Sequence, residues 1–277
     1  MEHKRELPPN FSLFITTPNT IHLQSQHTTK FLFDCGASGG IMCARPSEDN
    51  DNLIAVADSH NVLLHDAAKG QNRKYILKTY DSSPRLLLFS ADSRTLYFTT
   101  TLSTSVQVYS IPNGELSPSL APHPSPPTVL ERSDDDSYLV SASPNPPTIH
   151  IYNRRTTASA PVNFRPTDAH SPVTCAAFHT TGTSGSLPCT QLAIGFQDGA
   201  LAVYRMLSPP PRPERTSAVL LQPRRVGVYQ RLHKAIMGGV SAIKFIPGQT
   251  TRIISVGQDG RCRIVDFFRR DAQVLRT

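Results

Sequence analysis

Apolar and polar positions alternate along the chain in short runs that are separated by polar turns. The stretch "LAIGFQDGALAVYR", residues 192–205, consists of an apolar run, Gln-Asp-Gly and a second apolar run. The same pattern returns in residues 253–266 as "IISVGQDGRCRIVD". Two apolar runs joined by a Gly-containing turn are typical of an antiparallel β-hairpin. Because side chains alternate along a strand, at least one face of each hairpin is expected to be buried.

The hairpin pattern occurs six times, and the spacing of the first units is that of a repeat protein. The units begin at Leu13, Leu53, Leu96, Leu139, Leu192 and Ile253. The first starts lie 40 and 43 residues apart, close to the 40–45 residues of a four-stranded propeller blade. Flanking runs such as "RLLLFS", "PVTCAAF", "VSAIKF", "KYILKTY" and "AQVLRT" are predicted to supply the remaining strands, four in each unit.

This pattern resembles the WD-repeat β-propeller family over about residues 11–276. Members of that family end the third strand of each blade in Trp-Asp, whereas this chain has no tryptophan. The corresponding pairs are His65-Asp66, Tyr109-Ser110, Tyr152-Asn153, Tyr204-Arg205 and Val265-Asp266. The resemblance implies an all-β fold, a β-propeller of about six four-stranded blades, and a role in binding other proteins.

The family also has a buried hydrogen-bond network in each blade, which joins a His, a turn Asp, a strand hydroxyl and the Trp. In the fifth unit the resemblance assigns His170, Asp198 and Tyr204 to this network, while Ile194 occupies the hydroxyl position. In the sixth unit it assigns Ser255 and Asp259, and no His is found in register.

The repeats predict a single domain over residues 1–277. The blades are predicted near 11–35, 41–79, 85–117, 128–165, 172–206 and 240–276. Residues 206–239 are then a Pro- and Arg-rich insertion, which we expect to be a mobile excursion that begins as polyproline II. The six prolines of residues 111–127 indicate a surface loop, since proline is unfavourable in helices and central strands.

The strand count predicts an incomplete ring. The first unit offers three strands, "SLFIT", "TIHLQ" and "KFLFD", while residues 1–10 are too polar and proline-containing to supply a first strand. The last blade uses its fourth strand at the C-terminal end, so no strand is left to complete the first blade. We therefore expect an open ring or a fragment of a seven-bladed one, which would be marginally stable or self-associating because of its exposed strand edge.

Charge is concentrated in the C-terminal quarter. Residues 205–277 contain 14 Lys and Arg against four Asp and Glu, whereas the chain as a whole has a net charge of +7. Such a region attracts acidic protein surfaces, nucleic acid or anionic membranes, although many charge runs are only solvated loops. The candidate partner-binding residues are Arg212, Arg215, Arg224, Arg225, Arg231 and Lys234. Tyr229 is the lone aromatic residue among them, which is weak support for base stacking.

Other classes of function are not favoured. Phe268-Arg269-Arg270 is followed by Asp271, whereas the phosphoinositide-binding motif of some propellers has Gly at that position. The chain has no apolar run of the roughly 18 to 20 residues that a spanning helix needs. Its charged first ten residues lack a secretory signal, which predicts an intracellular protein, cytoplasmic, nuclear or both.

No arrangement typical of catalysis or of a cofactor site is present in the sequence. The five cysteines are widely spaced and never form Cys-x-x-Cys, and the histidines are scattered singly. The acidic run "SDDDS", residues 133–137, is predicted to form the turn between the first two strands of the fourth unit. We therefore expect a non-catalytic scaffold that acts as a subunit or adaptor of a larger protein complex. The alternative is a nucleic-acid- or chromatin-associated propeller that uses the basic C-terminal quarter.

Overall fold

The computed structural model describes residues 13–25, 28–36, 40–49, 52–69, 71–73, 82–154, 160–166, 171–181, 189–207, 223–268 and 271–275. Within these ranges the chain forms 23 β-strands and one short 3₁₀ turn. None of the helical residues described forms a segment long and apolar enough to cross a membrane. The strands build six antiparallel sheets, in which strands that are adjacent in sequence are adjacent in space. The predicted all-β class is confirmed.

The described residues divide into two compact units. The first unit covers residues 1–103 and 107–119 and contains the first three sheets. Its strands are β1 (Leu13–Thr16), β2 (Thr20–Gln24), β3 (Thr29–Asp34), β4 (Cys43–Pro46), β5 (Leu53–Ala57), β6 (Val62–Asp66), β7 (Gln71–Arg73), β8 (Pro84–Phe89), β9 (Thr95–Thr100), β10 (Gln107–Ser110) and β11 (Glu115–Ser117). Alternate apolar side chains of β5, β6, β8 and β9 form a buried cluster between the second and third sheets.

The second unit covers residues 104–106 and 120–277 and contains the fourth, fifth and sixth sheets. Its strands are β12 (Val129–Arg132), β13 (Tyr138–Pro144), β14 (Pro147–Asn153), β15 (Val162–Phe164), β16 (Val173–Thr181), β17 (Cys189–Phe196), β18 (Leu201–Leu207), β19 (Arg224–Tyr229), β20 (Val240–Phe245), β21 (Arg252–Gly257), β22 (Cys262–Asp266) and β23 (Asp271–Leu275). The first strands of successive sheets pack together, β12 on β16 and β16 on β20. Apolar clusters fill the spaces between the fourth and fifth sheets and between the fifth and sixth.

The two Gln-Asp-Gly stretches form the predicted hairpins. In the fifth sheet Ile194 of β17 pairs with Ala202 of β18, and in the sixth Ser255 of β21 pairs with Arg263 of β22. Each turn contains a Gly with positive φ, 83° at Gly199 and 72° at Gly260. This left-handed conformation is accessible to Gly without steric cost, which explains why both turns contain it.

The residues at the positions where WD-repeat propellers have Trp are all buried. His65, Tyr109, Tyr152, Tyr204 and Val265 each lie near the end of the third strand of their sheet and are no more than 7% exposed. A mixture of imidazole, phenol and aliphatic side chains therefore fills equivalent places in five sheets.

The predicted insertion over residues 206–239 contains residues that belong to two strands of the fifth sheet, whereas its predicted end before residue 240 agrees with the start of β20. Met206 lies in β18, and β19 is the fourth strand of the fifth sheet, paired with β18. In the segment "RRVGVY", Val226 and Val228 pack on the apolar clusters on opposite faces of the fifth sheet, and a register shift relative to β18 interrupts the alternation between them. The two adjacent arginines are exposed. The sequence therefore carries no regular strand pattern here. Residues 208–222 lie outside the described residues.

Three smaller differences concern segments near proline or at the ends of sheets. The proline-rich segment 111–127 contains a short, exposed outer strand, β11, so only part of it is loop. The fourth strand of the second sheet, β7, precedes the predicted "KYILKTY", and residues 74–80 lie outside the described residues. The three strands predicted for the first sheet are present as β1, β2 and β3. Residues 1–12 are not described, and the open ring stays a prediction.

Candidate functional site

The loop over residues 230–239, here called the anchored loop, connects the fifth and sixth sheets and contacts the turns of both. At the first turn, the N–H of His233 donates to the carbonyl of Gly199 at 3.0 Å. At the second, the N–H of Gln258 donates to the carbonyl of Gly239 at 3.0 Å. The two repeated Gln-Asp-Gly turns therefore hold one loop between them.

The His233 side chain fixes the loop to the sixth sheet. Its ring is buried, with Nδ1 2.9 Å from Oδ1 of Asp259 and Nε2 3.0 Å from Oγ of Ser255. Because a carboxylate can only accept, Asp259 accepts a hydrogen bond from the Nδ1–H group of His233, and Nε2 of the same ring is paired with the Ser255 hydroxyl. The sequence-based conclusion that the sixth unit has no His in register is therefore wrong. His233 occupies that place, although it precedes β20 by seven residues.

Asp259 is the centre of this cluster. Its side chain is only 1% exposed, and it also accepts hydrogen bonds from the backbone N–H groups of Lys234 and Arg261 at 3.3 and 3.2 Å. Nη1 of Arg263 lies 3.4 Å from Oδ2 of Asp259 and 2.9 Å from Nδ1 of His233. Burial alone would raise the pKa of the Asp259 carboxyl, but these donors, His233 first among them, hold that pKa well below its usual range. The carboxylate is thus charged and saturated with donors.

Two glycines make room for the anchored loop. A Cβ atom at Gly257 would collide with the imidazole ring of His233, and one at Gly199 would collide with the backbone carbonyl of the same residue. The sixth sheet can therefore accept the His233 ring only because position 257 lacks a side chain. This close approach gives the glycines a packing function in addition to their role in the turns.

The tip of the anchored loop is exposed. Residues Ala235–Met237 form a 3₁₀ turn in which Ile236 is 94% exposed and Met237 is 49% exposed. The cationic side chains of Arg231, Lys234 and Arg261 are also exposed around this turn. The site therefore presents two exposed apolar side chains with cations nearby. The buried contacts of His233 with Ser255 and Asp259 hold the backbone of the loop that carries them.

The structure separates the other residues that the sequence predicts to form a network. Asp198 is exposed in its turn, where it accepts the N–H of Ala200 at 3.0 Å. Tyr204 is buried and packs edge-on against Phe164, with 4.9 Å between ring centroids. His170 lies outside the described residues. Only in the sixth sheet do the described residues join the predicted Ser and Asp through a His.

The predicted basic residues lie at two ends of the fifth sheet. Arg224 and Arg225 are exposed at the start of β19, whereas Arg231 and Lys234 follow its end. With about 3.3 Å per strand residue, the length of β19 separates the two pairs by roughly 17 Å. Arg224 faces Arg205 of β18, so like charges are opposed there. The described cations do not form one continuous patch, and Arg212 and Arg215 lie outside the described residues.

A second buried polar cluster, not predicted from the sequence, lies in the fourth sheet. Nε2 of His123 is 2.7 Å from Oγ of Ser141, and the rings of His123 and His150 stack at 3.9 Å. Burial, followed by the charge of nearby His150, lowers the pKa of His123 to about 4. His123 precedes β12 much as His233 precedes β20. The sequence signal for this cluster was a His shortly before the first strand of a sheet together with a Ser in its second strand.

Two of the five thiols are held in their protonated, less reactive form. All five cysteines are free and partly buried. Burial raises the pKa of Cys43 to about 11 and that of Cys175 to about 12, so both thiols stay protonated near neutral pH. Within the described ranges, no group of three His, Cys, Asp or Glu side chains is arranged to hold a metal ion.

The chain matches no protein-family model, and no curated protein sequence matches it significantly. Its resemblance to WD-repeat propellers therefore depends on the repeat pattern and on the positions discussed above.

Proposed function

We propose that this chain is a propeller-type protein whose function is to bind other proteins without catalysis. Six meander sheets in chain order support the blade assignment. So do the buried residues at the Trp-equivalent positions and, within each unit, the packing of the first strand of one sheet on the first strand of the next. The four-stranded repeat unit is that of a propeller blade.

The anchored loop is the observation on which the binding function depends. Ser255 and Asp259 each pair with the buried ring of His233, so these three side chains are suited to hold the loop rather than to act on a substrate. A satisfied buried network makes a local structure rigid. Because a rigid loop loses little conformational entropy on binding, it is an effective recognition element. A loop held in this way while its apolar tip stays exposed is an interaction surface.

Affinity capture from a lysate of the source cells tests this function. The full chain is compared with His233→Ala, which releases the loop, and with His60→Ala, which changes an exposed turn in the second sheet. Circular dichroism establishes that each variant is folded at the working temperature. We expect a few proteins to be retained by the wild-type chain and by His60→Ala, and fewer by His233→Ala.

Two results would contradict the proposed function. One is that no protein is retained above the bare matrix. The other is that retention disappears after nuclease treatment while the chain binds arbitrary duplex with a steep salt dependence. That second result would favour the nucleic-acid alternative, because binding to phosphates weakens steeply with salt.

A further inference from the structure

We infer that the tip of the anchored loop, Ala235–Met237, docks into an apolar pocket bordered by carboxylates on a folded partner domain. This inference rests on the proposed function and names the chemistry of the partner. It depends on the shape of the tip, on how the tip is held and on the charges around it.

The shape of the tip requires a concave partner. Ile236 is the most exposed of the large hydrophobic side chains in the described part of the chain, and Met237 stands next to it. Single exposed apolar residues are common on protein surfaces, but two at the end of a short turn form a projection. A projection buries its area only when it enters a pocket. An isoleucine that enters such a pocket can dominate the affinity of an interface.

The tip is closed by its own hydrogen bonds. The N–H of Met237 donates to the carbonyl of Lys234 at 3.2 Å, and the N–H of Gly238 donates to the carbonyl of Ala235 at 2.9 Å. The carbonyl of Lys234 also accepts the N–H of Gly239 at 3.2 Å. Together with the contacts of His233, two residues before the turn, these hydrogen bonds restrain the backbone of the tip before it binds. Such preorganisation lowers the entropic penalty of docking.

The charges specify the rim of the pocket. Arg231, Lys234 and Arg261 are exposed and form no ion pair with any described residue. Asp259 is buried and saturated with donors, which leaves Asp198 as the exposed carboxylate among the described residues of the two turns. Three cations against one anion favour a partner surface with Asp and Glu around the apolar pocket. Complementary charges of this kind raise the association rate and exclude wrong partners.

A protein pocket fits the tip better than a membrane surface does. Cations beside apolar side chains also occur on membrane-binding segments, but those segments bury the whole apolar face of a helix. Here two side chains project from a three-residue turn. That area is too small to hold a protein on a bilayer, and Asp198 opposes an anionic headgroup.

Site-specific photo-cross-linking in the full chain tests the inference. A benzophenone amino acid replaces Ile236, and in a matched control it replaces Leu102, which is 66% exposed in the first unit. Irradiation of the chain in lysate, followed by mass spectrometry, identifies the protein and the peptide attached at each position. We expect a partner attached at position 236 and not at 102, through a segment that combines apolar residues with Asp and Glu.

Binding of the purified partner supplies the quantitative test. We expect Ile236→Ser to raise the Kd about 10- to 100-fold, the range given by the loss of a buried aliphatic side chain. Reversal of two charges, Arg231→Glu with Lys234→Glu, should also raise the Kd and reduce its dependence on salt. The control Leu102→Ser should leave the Kd unchanged. All of these positions are exposed, so the variants should keep the thermal stability of the parent chain.

Several results would overturn the inference without affecting the proposed function. Ile236→Ser could retain the same proteins as the parent chain, or the partner segment that is cross-linked at position 236 could be basic. Position 236 could also cross-link no more than position 102. Attachment to a second copy of this chain would replace the inference with self-association. Binding to phosphatidylserine vesicles that is lost in Ile236→Ser, with no protein attached, would replace it with membrane binding. The proposed function itself fails only in the capture experiment described above.

Discussion

The fifth and sixth sheets fill one hairpin framework with opposite chemistry. Relative to the turn Asp, the fifth sheet places Ile194, Phe196 and Ala202 where the sixth places Ser255, Gly257 and Arg263. In the fifth sheet all three side chains belong to an apolar cluster. In the sixth, the glycine leaves a space that the His233 ring occupies, and the Ser and Arg contact that ring.

This difference shows how a repeat can gain a specific loop without changing its backbone. In the fifth sheet Phe196 occupies the space beside the turn with its own side chain. In the sixth sheet Gly257 has no side chain, and the ring of His233, a residue of the anchored loop, occupies the equivalent space. The anchored loop is therefore held against the sixth sheet by this ring. The apolar residues of the fifth sheet contribute stability, whereas the polar residues of the sixth sheet determine where the anchored loop lies.

The largest effect is expected when the chemistry of the sixth sheet is placed in the fifth. Ile194→Ser leaves a cavity and buries a hydroxyl among the apolar side chains that surround position 194 in the described structure. We expect the free energy of unfolding to fall by about 4 kcal/mol. Urea denaturation followed by far-ultraviolet circular dichroism measures it, since the chain has no tryptophan. A loss below about 1 kcal/mol, typical of a surface change, would show that the fifth sheet tolerates polarity.

The next largest loss of stability is expected when the carboxylate in the turn of the sixth sheet is removed, and the equivalent carboxylate of the fifth sheet provides the comparison. Asp259→Ala removes the anion that His233 and Arg263 face, and we expect it to lower the free energy of unfolding by about 3 kcal/mol, as when one partner of a buried ion pair is lost. The matched control is Asp198→Ala, at the equivalent but exposed position, which should change it by about 0.5 kcal/mol or less. Equal losses from the two variants would contradict the assigned difference between the sheets.

A smaller loss should follow when the space for His233 is closed. In Gly257→Ala the new methyl group collides with the imidazole ring, so we expect a loss of about 2 kcal/mol from overpacking. The cross-link yield at position 236 should also fall, because the loop must move. Gly248→Ala is a control in which no atom opposes the new methyl group, although its positive φ adds some strain. A variant at 257 that matches this control would argue against close packing of the ring.

The smallest effect is a difference in pH dependence between polar clusters. His123 has its pKa lowered to about 4 in the folded chain, so the unfolded chain binds its proton first as the pH falls from about 6.5. Stability should therefore decrease on acidification from pH 7 to 5, by about 1–2 kcal/mol. His123→Gln should remove most of this dependence.

The sixth sheet should respond in a different pH range. The pKa of Asp259 lies below its usual value of 3.8, so its contribution is present above that value and is lost only as the pH falls further. The difference in stability between the parent chain and Asp259→Ala should thus be constant from pH 7 to 5. A difference that shrinks over this range would contradict the assignment.

Much of the framework could be predicted because hairpins are local. The turn Gly and the apolar runs around residues 96 and 139 each belong to a single strand-turn-strand segment, and strands and turns lie there as predicted. By contrast, β19 was missed because arginines and prolines surround its two valines. A short strand with few apolar residues has little local signal, and β19 is held both by its pairing with β18 and by the packing of Val226 and Val228 on the neighbouring apolar clusters.

The all-β class and the places of the central hairpins follow from spacings of a few residues, over which the geometry of strands and turns is constant. Two polar residues of the candidate site, Ser255 and Asp259, were assigned through the resemblance to WD-repeat propellers. The position of His233, 22 residues before Ser255, comes from the tertiary structure, in which its ring lies between these two side chains and the turn of the neighbouring sheet holds its backbone. The path of an irregular loop depends on the space that other elements leave for it. Here that space is the missing side chain of Gly257.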